Sequence, residues 1–267
     1  MGPKILFTDI DGTLLNKDRE LSLGTIKQIN RITTNLSIPV ILVSARMPKS
    51  MRILQSQLGL TNEIICYNGA LLMGSDDSNI LQDKRIDRDI SNDIIEMSKF
   101  YDLHFSVFVN DHWVTGRHDE WTEREIRNTK VTPKVFYEIN FEDLFNIGTH
   151  KIMLMGNSSS IDSISLSISE KYSALVNVYR SKDTYLEISP KETNKWNAIE
   201  KVLSIYNISF DSAIAIGDNY NDIEMIKYAG IGVAVENAKD EIKTVANFIC
   251  PSNINDGVAK TIEKFFK

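Results

Sequence analysis

Cysteine is nearly absent: there are two in 267 residues, Cys66 and Cys250. Each lies inside an apolar run, IICY and NFIC, and reads as a small buried hydrophobe rather than half of a disulfide. Long hydrophobic stretches are also missing. No apolar segment approaches the ~20 residues that cross a bilayer, and the run Ile5 to Phe7 is soon broken by Asp9 and Asp11, which argues against a signal peptide. Positive charge is in deficit, with 30 Lys and Arg against 36 Asp and Glu and a net charge of -6. That balance excludes the clustered basic surface that a nucleic acid or an anionic membrane requires, so an anionic ligand must be met by a local site. No repeat or low-complexity linker occurs, since the Ser-rich SSSIDSISLSIS keeps helical apolar spacing. These absences predict a cytoplasmic protein with neither nucleic acid nor membrane among its partners.

What is present is a chain with 42% hydrophobic residues, enough for a sizeable core. Short apolar runs recur between turn residues: KILFTDI (4–10), IPVILVSA (38–45), EIICYNGA (63–70), SAIAIGD (212–218), GIGVAV (230–235) and NFIC (247–250). Runs this short and continuous suit strands covered on both faces. Helix signals lie between them: Ser22 as N-cap of LSLGTIKQINRI, Pro48 opening PKSMRILQSQLG with Gly59 ending it, and Asp222 before IEMIKYAG. The alternation predicts an α/β fold with a parallel sheet. The middle of the chain differs. FSVFVN, HWVTG, KVFYEI, KIMLMG and LVNVYRS read as antiparallel strands, mixed with the helical patterns SNDIIEMSKFYD and SIDSISLSISEKYS. The organisation is therefore a core of 1–81 and 187–267 interrupted by an α+β insert, 82–186.

Polar residues fall at the ends of the core runs. Asp9 and Asp11 end the first, Ser44 the second, and Asp218 the SAIAIGD run. In open parallel sheets ligands bind beyond the carboxyl ends of the strands. Converging carboxylates repel unless a cation neutralises them, and magnesium, which takes oxygen ligands and keeps several waters, suits such a set. On an extended strand, residues two apart face the same side, so Asp9 and Asp11 could both reach the site, one attacking phosphorus while the other handles protons. Gly12 and Thr13 then allow a tight turn. Lys195, beside a helix start, offers a fixed positive charge, and Ser44 a hydroxyl donor. These are the parts of phosphoryl transfer, which is mainly positioning and electrostatics.

DIDGTLL (9–15), VSAR (43–46), Lys195 in NKWNA and GDNYNDIEM (217–225), in that order, resemble the four motifs of the haloacid dehalogenase superfamily, specifically its Cof-type sugar-phosphatase-like branch. YNGA (67–70), LEISP (186–190), the pair at 237–238 and DGVA (256–259) extend the likeness. The resemblance implies a Rossmann-like catalytic core with an inserted α+β cap domain that governs specificity. It also implies that Asp9 is the nucleophile, forming an aspartyl-phosphate, and that Asp11 is the general acid and base. Ser44 and Lys195 would bind phosphate, and Mg2+ would be held by Asp9, the backbone carbonyl of Asp11, and Asp218. Asn221 and Asp222 would support that site, Asn221 touching phosphate or a metal-bound water and Asp222 alternatively orienting Lys195. Arg46 either binds substrate or pairs with a surface carboxylate, and Asn68 either shapes a strand-end turn or contacts substrate. Three positions depart from the family pattern: Ser44 stands for the common Thr, Trp196 for a usual Gly, where it is expected to alter the pocket rim, and VAVENA for a more familiar run.

The reading is a magnesium-dependent phosphatase of a small phosphorylated metabolite, a sugar phosphate or similar compound, working as a monomer or weak homodimer. A phosphomutase of the phosphomannomutase type is the alternative enzyme, and a non-catalytic sensor of a phosphorylated metabolite the alternative from another class. In the insert, His104, His112, His118, Trp113, Trp121, Arg117 and Arg180 are expected to serve packing or to lie at the surface, and no histidine spacing suggests zinc.

Overall fold

Ile5, Leu6 and Phe7 are wholly buried, as a strand covered on both faces requires. They form β1 (Ile5–Thr8), the middle of an eight-stranded sheet in the computed structural model. Residues 2–76, 78–136 and 146–267 are described. Contacts divide the chain into one unit of Met1–Ala45, Met51–Gln82 and Asn194–Lys267 and a second of Arg46–Ser50 and Asp83–Thr193.

In the first unit β1 is flanked in parallel by β2 (Val40–Val43) and, after a long excursion, β12 (Ala213–Gly217). Outward from these lie β3 (Ile64–Cys66) on one side and β13 (Ile231–Val235) and β14 (Phe248–Cys250) on the other, all parallel. β4 (Leu71–Met73) returns antiparallel beside β3, and β5 (Ile80–Asp83) completes the order β14-β13-β12-β1-β2-β3-β4-β5. Each Ile or Leu buried in such a sheet is worth about 1.5–3 kcal/mol against leaving it in water.

The helices follow their sequence signals. α1 (Leu23–Asn35) starts where Ser22 accepts the Thr25 N–H, and it buries Ile29 and Ile32. α2 (Pro48–Leu58) ends at Gly59, whose φ of +66° suits glycine.

The second unit is a six-stranded sheet built from β6 (His104–Val109), β7 (His112–Thr115), β8 (Lys134–Val135), β9 (Lys151–Met155), β10 (Val176–Lys182) and β11 (Tyr185–Pro190). Their order is β10-β11-β9-β6-β7-β8. Pairing is antiparallel except between β7 and β8. α3 (Arg88–Phe100) and α5 (Ser158–Tyr172) supply Ile94, Ile95, Ile161, Ile164 and Ile168 to a cluster with Val107, Ile152, Leu154, Leu186 and Ile188. α4 (Glu120–Thr129) has no strong apolar signal in the sequence, and it forms where Asp119 accepts the Trp121 and Thr122 N–H groups. KVFYEI, expected as a strand, yields β8, and its residues from 137 onward lie outside the described ones. The sequence pattern has the core resume at 187, yet that position lies within β11, which pairs with β10 and β9. The alternation of LEISP reads equally well in either sheet, and only the pairing assigns it.

The remaining helices belong to the first unit: α6 (Lys195–Tyr206), α7 (Ile223–Tyr228), α8 (Asp240–Val245) and α9 (Gly257–Phe265). Trp196 is buried with its ring 5.6 Å from that of Tyr228, so it packs α6 against α7 instead of altering a rim.

Candidate active site

The registers Ile5↔Ala213 through Thr8↔Ile216 and Thr8↔Leu42 bring β12, β1 and β2 to a common edge. Asp9, Ser44 and Asp218 are the residues that leave these strands there. Asp9 is held by its own N–H donating to Ile216 O at 2.9 Å. Ser44 is fixed through its N–H to Ile65 O and its carbonyl, which accepts from Asn68 N–H, both at 2.9 Å.

Lys195, the first residue of α6, is wholly buried and donates to Asp9 Oδ1 at 2.5 Å and Asp222 Oδ1 at 2.6 Å. Asn194 caps that helix by accepting the Asn197 N–H at 2.7 Å. Asp222 Oδ2 accepts the backbone N–H groups of Asp218 and Asn219 at 2.9 and 3.0 Å, which folds the GDNYND segment into a tight turn. Gly217 permits this close approach, because a Cβ there would meet Asp222 Cγ at 2.6 Å. Thr13 Oγ1 donates to Asp218 Oδ1 at 2.8 Å, and Asn221 Nδ2 to Asn68 Oδ1 at 2.9 Å. That last bond links the loop after β12 to the turn after β3, across the ends of the two strands between them.

Asp9, Asp218 and Asp222 each offer an oxygen within 4.8 Å of the others. One ammonium among three carboxylates, Asp9 and Asp222 buried and Asp218 half-buried, leaves an excess of negative charge. Burial pushes the Asp9 carboxyl well above its ordinary value, and Asp222 and Asp218 add to the rise against the pull of Lys195. Asp218 is pushed up to about 6, by burial and then by Asp222, with Thr13 and Lys195 opposing. Burial works against the Lys195 ammonium, but Asp222 and Asp9 outweigh it and hold it above the usual lysine range. All three shifts express a demand for positive charge. A hard dication fits that demand and the oxygen donor set. Asp222 has both oxygens committed, whereas among the described residues Asp9 Oδ2 and Asp218 Oδ2 accept no hydrogen bond. The donors left for a cation are therefore Asp9 and Asp218.

Asp11 departs from the expected geometry. β1 stops at Thr8, and residues Ile10–Leu14 form one wide helical turn in which Gly12 has φ +88°. The same-face argument for Asp9 and Asp11 therefore lapses, because the backbone between them is not an extended strand. The Asp11 carboxylate is partly exposed and pairs with Arg19 at 2.9 Å, while remaining close enough to add to the upward push on Asp218. Gly12 is required here: besides its positive φ, a Cβ would lie 2.5 Å from Asp218 Oδ2.

Arg46 falls in the second unit, where its guanidinium donates to Ser50 Oγ at 3.1 Å along α2. The contacts of Arg19, Asn237 and Asn253 with the Asp11 turn go beyond the sequence reading. Only Asn237 carries a signal there, as part of the pair at 237–238.

The second unit contains a string that resembles a nucleophile triad. Asp119 Oδ2 lies 2.9 Å from His104 Nδ1, and His104 Nε2 lies 3.2 Å from Ser106 Oγ. Ser106 is wholly buried and its hydroxyl also accepts from Trp113 Nε1, so no substrate reaches it. His104 and Trp113 are packed polar groups. Arg117 and His118 are tied at the surface to Asp119 and Glu123, and Arg180 to Asp162.

The chain matches the model of the haloacid dehalogenase-like hydrolase family over residues 6–262. It is 30% identical over 270 residues to a protein of Haemophilus influenzae provisionally named as a phosphatase, with 98% of each chain covered. It is 27% identical over 270 residues to the 5-amino-6-(5-phospho-D-ribitylamino)uracil phosphatase of Bacillus subtilis, covering 99% of this chain and 98% of that one. Among solved structures, a haloacid dehalogenase-like hydrolase from Bacteroides thetaiotaomicron superimposes with a TM-score of 0.92 at 26% identity, over 99% of this chain and 100% of the other.

Proposed function

Because the chain belongs to the haloacid dehalogenase-like hydrolases, with phosphatases among its relatives, we propose that it hydrolyses small phosphomonoesters with magnesium through an aspartyl-phosphate on Asp9. Relatives named as phosphatases support a phosphoric monoester hydrolase. The observation that carries the reading is the buried excess of carboxylate around one lysine.

The Asp9 carboxylate attacks phosphorus while Lys195 holds it in place, so the nucleophile is oriented and its charge partly balanced. The ester oxygen departs with a proton from Asp11, leaving phosphate bonded to Asp9. Water, deprotonated by Asp11, then attacks phosphorus and releases Asp9 and inorganic phosphate. For this Asp11 must exchange its Arg19 partner for the substrate oxygen. Ser44 and Asn221 bind phosphoryl oxygens, Asn68 holds the Asn221 amide, and Asp222 fixes Lys195 and the Asp218 loop. Asp9, Asp218 and the carbonyl of Asp11 would hold the ion, which supplies the positive charge that keeps the carboxylates ionised and withdraws charge from the phosphoryl group.

The second unit, with its sheet segment Asp83–Thr193, is the specificity domain in this reading. The names of two relatives, phosphatases of a phosphoribitylamino-uracil and of phosphoglycolate, point to a small phosphorylated polyol or hydroxy acid, a sugar phosphate included. Measuring phosphate release across a panel of such metabolites with and without magnesium tests the proposal. Metal-dependent release that Asp9→Asn abolishes is expected. Release that survives Asp9→Asn, or isomerisation of a sugar 1-phosphate without release, overturns it.

A further inference from the structure

The turn that carries Asp11 is gripped from outside by two asparagines. Within Ile10–Leu14, the closing bond is Leu15 N–H to Ile10 O at 3.0 Å, and carbonyls further along the segment need donors from elsewhere. Asn237 Nδ2 donates to Gly12 O at 2.8 Å, and Asn253 Nδ2 donates to Leu15 O at 2.8 Å. The two residues are joined, since the Asn253 backbone N–H donates to the Asn237 side-chain Oδ1 at 2.9 Å. Asn237 thus spends its donor on the turn and its acceptor on its partner, a double use that only an amide of this length allows.

The position of the bridge matters. Asn237 stands just beyond β13, and two residues on, the Lys239 N–H donates to Asp218 O at 3.1 Å. One short segment therefore fixes both the Gly12 carbonyl and the backbone of Asp218. Gly12 is also pressed against the Asp218 carboxylate, with no room for a Cβ. The residue before Gly12 is Asp11.

We propose that Asn237 and Asn253 are positioning residues for Asp11, holding its turn at the distance from Asp218 at which its carboxyl can meet the leaving oxygen. This rests on Asp11 being the acid of the reaction above. Neither asparagine is placed on the substrate. At saturating magnesium, which offsets any loosening of the Asp11 carbonyl toward the ion, their remaining effect should pass through proton transfer by Asp11, whose contribution is ~10²–10⁴-fold and which an error of ~1 Å erodes.

Proton delivery matters for a poor leaving group and hardly at all for a good one, so two aryl esters of similar size separate the possibilities. Wild type, Asp11→Asn, Asn237→Asp, Asn237→Ala and Asn253→Ala are assayed on phenyl phosphate and 4-nitrophenyl phosphate at saturating magnesium. Asn237→Asp keeps the acceptor for Asn253 and loses the donor to Gly12, and activity on the nitrophenyl ester certifies that each variant is folded. The asparagine variants should lose about 10–100-fold in kcat/KM, which reports only the steps through departure of the leaving group, on phenyl phosphate, and less than about 3-fold on the nitrophenyl ester. Equal losses on both esters in Asn237→Asp and Asn253→Ala, while Asp11→Asn remains leaving-group-selective, overturn the bridge as a positioning device. If Asp11→Asn itself loses equally on both, the acid role fails and the bridge has nothing to position.

Discussion

The two units bury polar groups on opposite terms. In the second, His150 Nε2 meets Asp83 Oδ1 at 3.0 Å, Arg85 Nε meets the same oxygen at 2.7 Å, and His150 Nδ1 accepts the Asn110 N–H at 3.0 Å. His104 is partnered likewise by Asp119, Ser106 and Thr115. Cations and hydroxyls there match the carboxylates, and the strings end on backbone. In the first unit three carboxylates gather about one lysine, which bonds only two of them. A folded protein that had no use for the imbalance would gain by replacing one of those aspartates with a neutral group. Balanced burial therefore marks a structural network, and unbalanced burial marks a site.

The most severe way to break the contrast is Asp9→Asn, expected to lower phosphate release by about 10⁴-fold or more while the protein stays folded, as removal of a covalent nucleophile does. A purified variant with circular dichroism like wild type but undiminished turnover would return Asp9 to a structural role. Next in size is Lys195→Met, which strips the cluster of its one cation. About 3–5 kcal/mol of stability should be lost in chemical denaturation without magnesium, with no comparable loss when Lys171, exposed beside Asp93, is changed to Met. Magnesium itself should stabilise the native state by about 2.7 kcal/mol at 100 times its dissociation constant. Asp218→Asn should shrink that shift in thermal melts, and Asp119→Asn should leave it intact.

Acid should separate the units. Burial pulls the His104 and His150 imidazoles below their ordinary value, against the opposing pull of Asp119 and Asp83. Below ~6.5 the unfolded chain takes up protons that the folded histidines refuse, so stability falls as pH falls. Asp83 is held low by its hydrogen bonds from His150 and Arg85. Asp119 is low too, for although burial raises it, His104, the Thr122 N–H and Arg117 outweigh that. Both carboxylates contribute stability above ~3.9 that is lost as pH drops further. Asp9 and Asp218 have the opposite sign, so in EDTA mild acid relieves their repulsion. Hydrogen exchange between pH 7 and 5 should show amides of β6 losing protection sooner than those of β1; the reverse order would sink the comparison. The smallest effect belongs to Arg180→Ala at the partly exposed pair with Asp162, under ~1 kcal/mol and with kcat unchanged.

Much of the site is legible in the chain because its residues sit at strand ends. KILF, PVILV and AIAIG are recognisable from their apolar continuity, and the residue after each of these strands necessarily leaves the sheet at one edge. The geometry of Asp11 is less legible, because alternation in DID suggests a longer strand, whereas Gly12 and the packing of Thr13 on Asp218 turn the chain early. α4 leaves little trace because its polar sequence buries little, and its start depends on an Asp119 cap shared with His104. Arg19 carries no local signal either, since its contact with Asp11 depends on a tight loop, where Asn16 Oδ1 accepts the Asp18 and Glu20 N–H groups at 2.9 and 3.0 Å.

By itself the sequence determined which chemistry is available: carboxylates, a hydroxyl and a lysine placed where strands end, in a chain whose hydrophobic periods specify parallel sheet and helix. Those choices are local, set by residue type and spacing. The tertiary structure decided how charge is shared. Lys195 lies far from Asp9 and Asp222 along the chain, and only the packing of α6 beside the sheet divides one ammonium between two carboxylates, leaving Asp218 and the second oxygen of Asp9 for a cation. It likewise decided that the Asp11 turn hangs on Asn237 and Asn253, because hydrogen bonds between distant segments depend on where the fold sets them, and no short-range pattern encodes that.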